Sequence, residues 1–132
     1  MRYLLDTHVF LWSLFADEKL SSRARAVISD VSQVIAVSTI TYWEIALKYA
    51  LGKLELEGVT PDELPRYATA MGMISCSPSA EDAATFYQLP KDIHKDPFDR
   101  LIVWQAIRNE MTLISKDKHV ADYQAYGLKV VW

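Results

Sequence analysis

A single cysteine, Cys76, leaves no partner for an intramolecular disulfide and no thiolate set for a cysteine-based metal site. Both absences fit a reducing compartment, and Cys76 itself reads as a small buried apolar residue. Glycine and proline are scarce, at 4 and 5 of 132 residues. With no low-complexity stretch, repeat or linker, this excludes a disordered or multi-part chain and leaves one domain over residues 1–132. No long apolar run is uninterrupted. Val9 to Ala16 is flanked by Asp6 and by Asp17-Glu18, which is not the layout of a signal peptide. Val34 to Leu51 carries Glu44 and Lys48 and reads as buried structure rather than a membrane span. A soluble, cytoplasmic protein without a membrane partner is expected. Positive charge is not in excess either: the net charge is −3, which argues mildly against nucleic-acid binding by bulk electrostatics.

What is present is a globular composition, 51% hydrophobic and 23% charged. Arg2-Tyr3-Leu4-Leu5 is a short apolar run ending at Asp6 and reads as a buried strand. A helix is expected from His8 to Phe15 and another from Ser21-Ser22. Val34 to Val37 reads as a second buried strand, and Thr39 or Thr41 caps a long helix that Gly52 terminates after Leu51. Pro61 suits the first turn of a helix running to about Met71. Met73 to Cys76 reads as a third strand and Ser79 to Tyr87 as helical. Asp96-Pro97 opens a helix to about Asn109. Thr112 to Ser115 is a fourth strand and Lys129 to Val131 a fifth. Short apolar strands alternating with helices imply an α/β fold with a mainly parallel sheet of about five strands, flanked by helices. In such sheets, sites form beyond the carboxyl ends of the strands.

Acidic residues stand at those places. Asp6 ends the first strand. Glu44 lies in the first turns of the helix after the second. Asp99, with Asp96 beside it, opens the helix before the fourth, and Asp117 follows the fourth. Each has a plain structural reading. Asp6, Asp96 and Asp117 are natural caps, Glu44 sits at capping-box spacing from Thr41 and four residues before Lys48, and Asp99 favours a helix dipole. Together they differ from any one alone. Carboxylates crowded at one sheet edge repel one another, and a divalent cation relieves that conflict. Oxygen donors of this kind fit Mg²⁺ or Mn²⁺ better than zinc. Such an ion orients and acidifies water and neutralises charge on a phosphodiester.

At these residues the chain resembles the PIN-domain family, and within it the VapC-type toxins of toxin–antitoxin systems. The resemblance is carried by Tyr3-Leu4-Leu5-Asp6-Thr7-His8, Trp43-Glu44-Ile45-Ala46, His94-Lys95-Asp96-Pro97-Phe98-Asp99-Arg100 and Ser115-Lys116-Asp117, in order along essentially the whole chain. It implies a three-layer α/β/α PIN fold and a Mg²⁺- or Mn²⁺-dependent endoribonuclease. It also implies a cognate VapB-type antitoxin as partner, and a homodimer. By position, Asp6, Glu44, Asp99 and Asp117 become the catalytic and metal-binding acids. Asp96 is a neighbour or only the cap. Thr7 and Ser38 become hydroxyls that bond the site carboxylates, and Arg100 and Lys116, with Lys48 and Lys118, become candidates for substrate phosphates. The four acids contribute −4 against −3 for the whole chain, so the rest sums to about +1. A small footprint on structured RNA suits that balance.

Other residues carry less signal. His8, His94 and His119 share no metal-ligand spacing, and a packed or capping role is expected for His8. Trp12, Trp43 and Trp104 read as core or dimer interface, and Trp132 as a partner anchor or a final core plug. The alternative of another class is a non-catalytic RNA- or protein-binding module on the same scaffold. A phosphoacceptor domain is disfavoured because Ser75-Cys76-Ser77-Pro78 supplies no acid after the third strand, and a D-x-D phosphatase because position 8 is His8.

Overall fold

A computed structural model describes residues 2–132. Five strands form one sheet: β1 (Arg2–Leu5), β2 (Val34–Ser38), β3 (Ile74–Cys76), β4 (Thr112–Ile114) and β5 (Lys129–Val131). Their spatial order is β3-β2-β1-β4-β5, and every neighbouring pair is parallel. The expected parallel five-stranded α/β sheet is therefore present. Each parallel pairing requires a crossover, and the helices supply it. They are α1 (Thr7–Phe15), α2 (Ser22–Ser29), α3 (Thr39–Ala50), α4 (Leu64–Ala70), α5 (Ala80–Ala84), α6 (Pro97–Arg108) and α7 (Lys118–Ala121).

The strand period of two divides the core between the sheet's faces. Leu5, Ile35, Val37 and Ile114 face a cluster completed by Val9 and Phe10 of α1, Ala24 of α2, Ile45 of α3, and Leu64 and Ala68 of α4. Leu4, Ala36 and Leu113 face the other cluster, with Ile102, Val103 and Ala106 of α6 and Val120 of α7. The result is three layers, helices on both faces of the sheet. β2 is buried from Ile35 to Ser38 and β1 at Leu4 and Leu5, because both faces of the sheet are covered there. β3 differs: as an edge strand it leaves Ile74 half exposed.

Three local expectations are corrected. The cap of α3 is Ser38, whose Oγ accepts from the Ile40 amide at 3.1 Å, rather than Thr39 or Thr41. The expected helix from Pro61 to Met71 is split into a 3-10 turn at Pro61–Glu63 and then α4. Pro65 explains the break, because it has no amide hydrogen to donate to the carbonyl of Pro61. The segment from Ser79 is likewise divided into α5 and a 3-10 turn at Phe86–Gln88.

Candidate functional site

The central strand β1 delivers Asp6 to the carboxyl edge of the sheet, where it caps α1 by accepting the Val9 amide at 2.8 Å. Asp6 is 6% exposed. Burial pushes its carboxyl above the usual range, and the charge of Asp117 adds to this. Hydrogen bonds from Ser115 and Val9, with the His8 charge, pull the other way without cancelling it.

Thr7 opens α1 and turns its hydroxyl toward α3. It donates to Glu44 Oε1 at 2.6 Å and lies 3.2 Å from Thr41 Oγ1. Glu44 is buried, and its other oxygen takes the Lys48 ammonium one turn along. Lys48 Nζ also stands 3.9 Å from Asp96 Oδ2. Burial works against the charged amine, but Glu44, Asp96 and Asp99 together hold its pKa above the ordinary value.

The third and fourth contributions come from the other half of the chain. Asp96 caps α6, accepting from the Phe98 amide at 2.9 Å and the Asp99 amide at 3.4 Å. Asp99 in the first turn has its pKa pushed up to about 7, first by burial and then by the negative charges of Asp96, Glu44 and Asp6; His94 offsets part of this. Asp117 follows β4 and caps α7 by accepting the His119 amide at 2.8 Å. Burial alone would raise its pKa, but His94, the His119 amide and the His119 charge bring it below the usual value.

The four acids thus come from four separate elements and act on one another electrostatically. The donor set fits a hard divalent cation: carboxylate oxygens gathered in one place, with the Asp99 carboxyl pushed up by burial and by its acidic neighbours. His94 Nε2 lies 2.9 Å from Asp117 Oδ2 and 3.3 Å from Asp99 Oδ2. Ligand atoms of His94, Asp99 and Asp117 all fall within 4.8 Å of one another. These three residues would hold a cation, with Asp6 and Glu44 beside them.

The family model of the PIN domain matches residues 3–126. The chain belongs to the PIN-domain family.

The fold agrees. A chain of VapBC2 from Rickettsia felis bound to a DNA fragment from their promoter superposes with a TM-score of 0.70 at 17% identity, over 99% of this chain and 98% of that one. DNA-bound VapBC from Salmonella typhimurium gives 0.68 at 13% identity, covering 99% and 97%. FitAcB from Neisseria gonorrhoeae gives 0.65 at 21% identity, covering 98% and 96%. No curated protein shows significant sequence similarity.

Within this PIN domain, two residues expected at the site are placed elsewhere. Ser38 spends its hydroxyl on the side-chain carbonyl of Gln105, at 2.5 Å, and on capping α3; among the described residues no carboxylate is its partner. Arg100 lies over the Phe86 ring, with Cζ 4.8 Å from the centroid, and donates to the Leu89 carbonyl at 3.3 Å. One helical step of about 100° separates it from Asp99 and turns it off the site. Thr7, Lys48 and Lys116 are placed beside the acids. Lys118 is exposed at the start of α7.

His94 belongs to the site although it shares no ligand spacing with His8 or His119. Its Nδ1 accepts the Asp96 amide at 3.1 Å, which aims Nε2 at Asp99 and Asp117. Shared spacing among histidines is no guide here, because the side chains that meet come from different elements. Its place at the head of the His94-to-Arg100 motif is the usable signal. His8, expected to be packed or capping, is exposed, with its ring 5.9 Å from that of Trp12.

Proposed function

We propose that this PIN domain is a metal-dependent endoribonuclease, the cytoplasmic toxin of a VapBC-type toxin–antitoxin pair. The observation that carries the reading is the convergence of Asp6, Glu44, Asp99 and Asp117 at the carboxyl edge of the sheet, where burial first and the negative charges of Asp96, Glu44 and Asp6 next push the Asp99 carboxyl up to about 7. A bound Mg²⁺ or Mn²⁺ supplies an acidified water and offsets charge on the scissile phosphodiester. The chain's own part is positioning. Asp99 and Asp117, with His94, would hold the ion and Asp6 would add an oxygen beside them, and the Thr7 hydroxyl fixes the rotamer of Glu44. Asp96 holds the start of α6 in place, and Lys116 meets phosphate.

An antitoxin partner is supported by the complexes to which the fold is similar, VapBC and FitAB. A homodimer is supported by a stripe of Trp43, Ala46, Leu47 and Ala50 exposed along α3. Among the described residues, no helix is long and apolar enough to cross a membrane.

The test is incubation of purified, partner-free protein with total RNA in Mg²⁺, in Mn²⁺ and in EDTA, beside Asp6→Asn. Discrete fragments that need both metal and Asp6 are expected. Intact RNA with metal bound would overturn the nuclease and favour a non-catalytic binding scaffold.

A further inference from the structure

An open cavity of about 400 Å³ adjoins the acids, lined by Asp6, Asp117, His8, Trp12 and Lys116. Its construction follows from the fold. His8 and Trp12 are four residues apart on α1, so they share one face just beyond the Asp6 cap. Lys116 and Asp117 leave the end of β4, the parallel neighbour of β1. Two site carboxylates therefore stand at one wall and an aromatic surface at the other.

That surface is more than core. Trp12 packs partly into the core, and the Trp132 ring supports it from 6.0 Å away at 57°. The His8 ring lies 5.9 Å from it, and Lys116 Nζ hangs 6.0 Å over the Trp12 ring. His8 and Lys116 are exposed and Trp12 partly so. A tryptophan is thus left partly open beside a lysine in an acid-walled cavity. The ligand that matches all three features has a flat π face, an adjoining phosphate and a bond to be presented to the acids.

We propose that this cavity holds one unpaired nucleobase of the RNA, stacked on Trp12, with Lys116 meeting the phosphate next to it. A base within a duplex is already stacked and paired, so only an unpaired base can take this place against Trp12. The proposal rests on the nuclease reading above for the identity of the bond presented to the acids, but base stacking can be measured without cleavage.

The experiment is fluorescence anisotropy of labelled eight-residue oligouridylate, of an abasic ribose-phosphate chain of equal length, and of an RNA duplex. It is run in Ca²⁺ to neutralise the carboxylates, with oligomer integrity checked by gel. The native protein is expected to bind oligouridylate more tightly than either other probe. Trp12→Leu is expected to weaken oligouridylate binding on the order of 5- to 100-fold while leaving the abasic chain unchanged. Trp12→Phe should restore most of that loss, and Lys116→Gln should weaken both single strands. Equal binding of the oligouridylate and abasic chains by the native protein, or no binding of either, would overturn the proposal and leave the cavity to a peptide. Neither result depends on a variant that fails to fold. Stacking without cleavage of total RNA would sink the nuclease reading and spare the base site; cleavage with a silent Trp12→Leu would do the reverse.

Discussion

The imidazole of His94 stands 2.9 Å from the carboxylate of Asp117, twenty-three residues further along the chain. The same nitrogen is 3.3 Å from Asp99. A group so placed would either join the ligands of a bound cation or orient them. His94→Ala is expected to weaken Mn²⁺ binding by roughly 10- to 100-fold, read by calorimetric titration. Unchanged affinity would reduce His94 to a prop for the turn before α6.

Asp99 and Asp96 are neighbours with different work. Asp99→Asn removes a site oxygen at constant volume, so cleavage should be lost while the melting temperature holds or rises, because a repelled carboxylate is gone. Asp96→Ala removes two accepted amide bonds at the start of α6. It is expected to cost about 1 kcal/mol of stability, measured by urea unfolding, with much of the activity retained. Equal catalytic loss in the two variants, at equal stability, would mean that Asp96 also belongs among the ligands.

The contrast shows what was legible beforehand. Asp6, Asp96-Pro97 and Asp117 announce themselves because a cap and a strand end are local patterns, and the topology then brings them together. Glu44 was visible as an acid in a helix, but its bond from Thr7 crosses 37 residues and follows only from the packing of α1 on α3. Arg100 looked like part of the site because sequence distance says nothing of the helical step that turns it onto Phe86. His94 sits in a loop, where no periodicity marks which side chain points inward. Ser38 went to Gln105, a buried partner that no spacing rule supplies.

Acidity should act on the metal-free protein in an unusual direction. The pKa of Asp99 is raised in the folded state to about 7, from an ordinary value of 3.8, and that of Asp6 is raised as well. Between those limits the folded chain binds more protons than the unfolded one, so stability falls as pH rises from about 4 to about 7. In EDTA the melting temperature should therefore decline across that window. Asp99→Asn should flatten the decline, and Mg²⁺ or Mn²⁺ should reverse it at pH 7 and above. A melting temperature that climbs steadily with pH in EDTA, as well as in metal, would contradict this account of the cluster.

Another buried acid, Asp82, should behave in the opposite manner. It closes a capping box with Ser79 at the start of α5 and takes Arg108 at 3.2 Å and Asn109 at 3.1 Å from the end of α6. Burial would raise its carboxyl, but these donors hold it below the usual range. Asp82→Ala is expected to cost roughly 2–4 kcal/mol in chemical unfolding through the lost cap and the bonds to α6. Cleavage per folded molecule should not change, since none of these bonds reaches Asp6, Glu44, Asp99 or Asp117. A variant that is stable but inactive would show otherwise.

The strand order has a consequence for synthesis. Asp6 and Glu44 emerge first, yet β1 gains its second neighbour only when β4 pairs with it, and Asp117 follows β4. A nascent chain that ends within α6 has β1 as a bare edge and lacks one of the four acids. Whatever chemistry the carboxylates carry is withheld from the ribosome, and from the RNA around it, until the chain has passed β4.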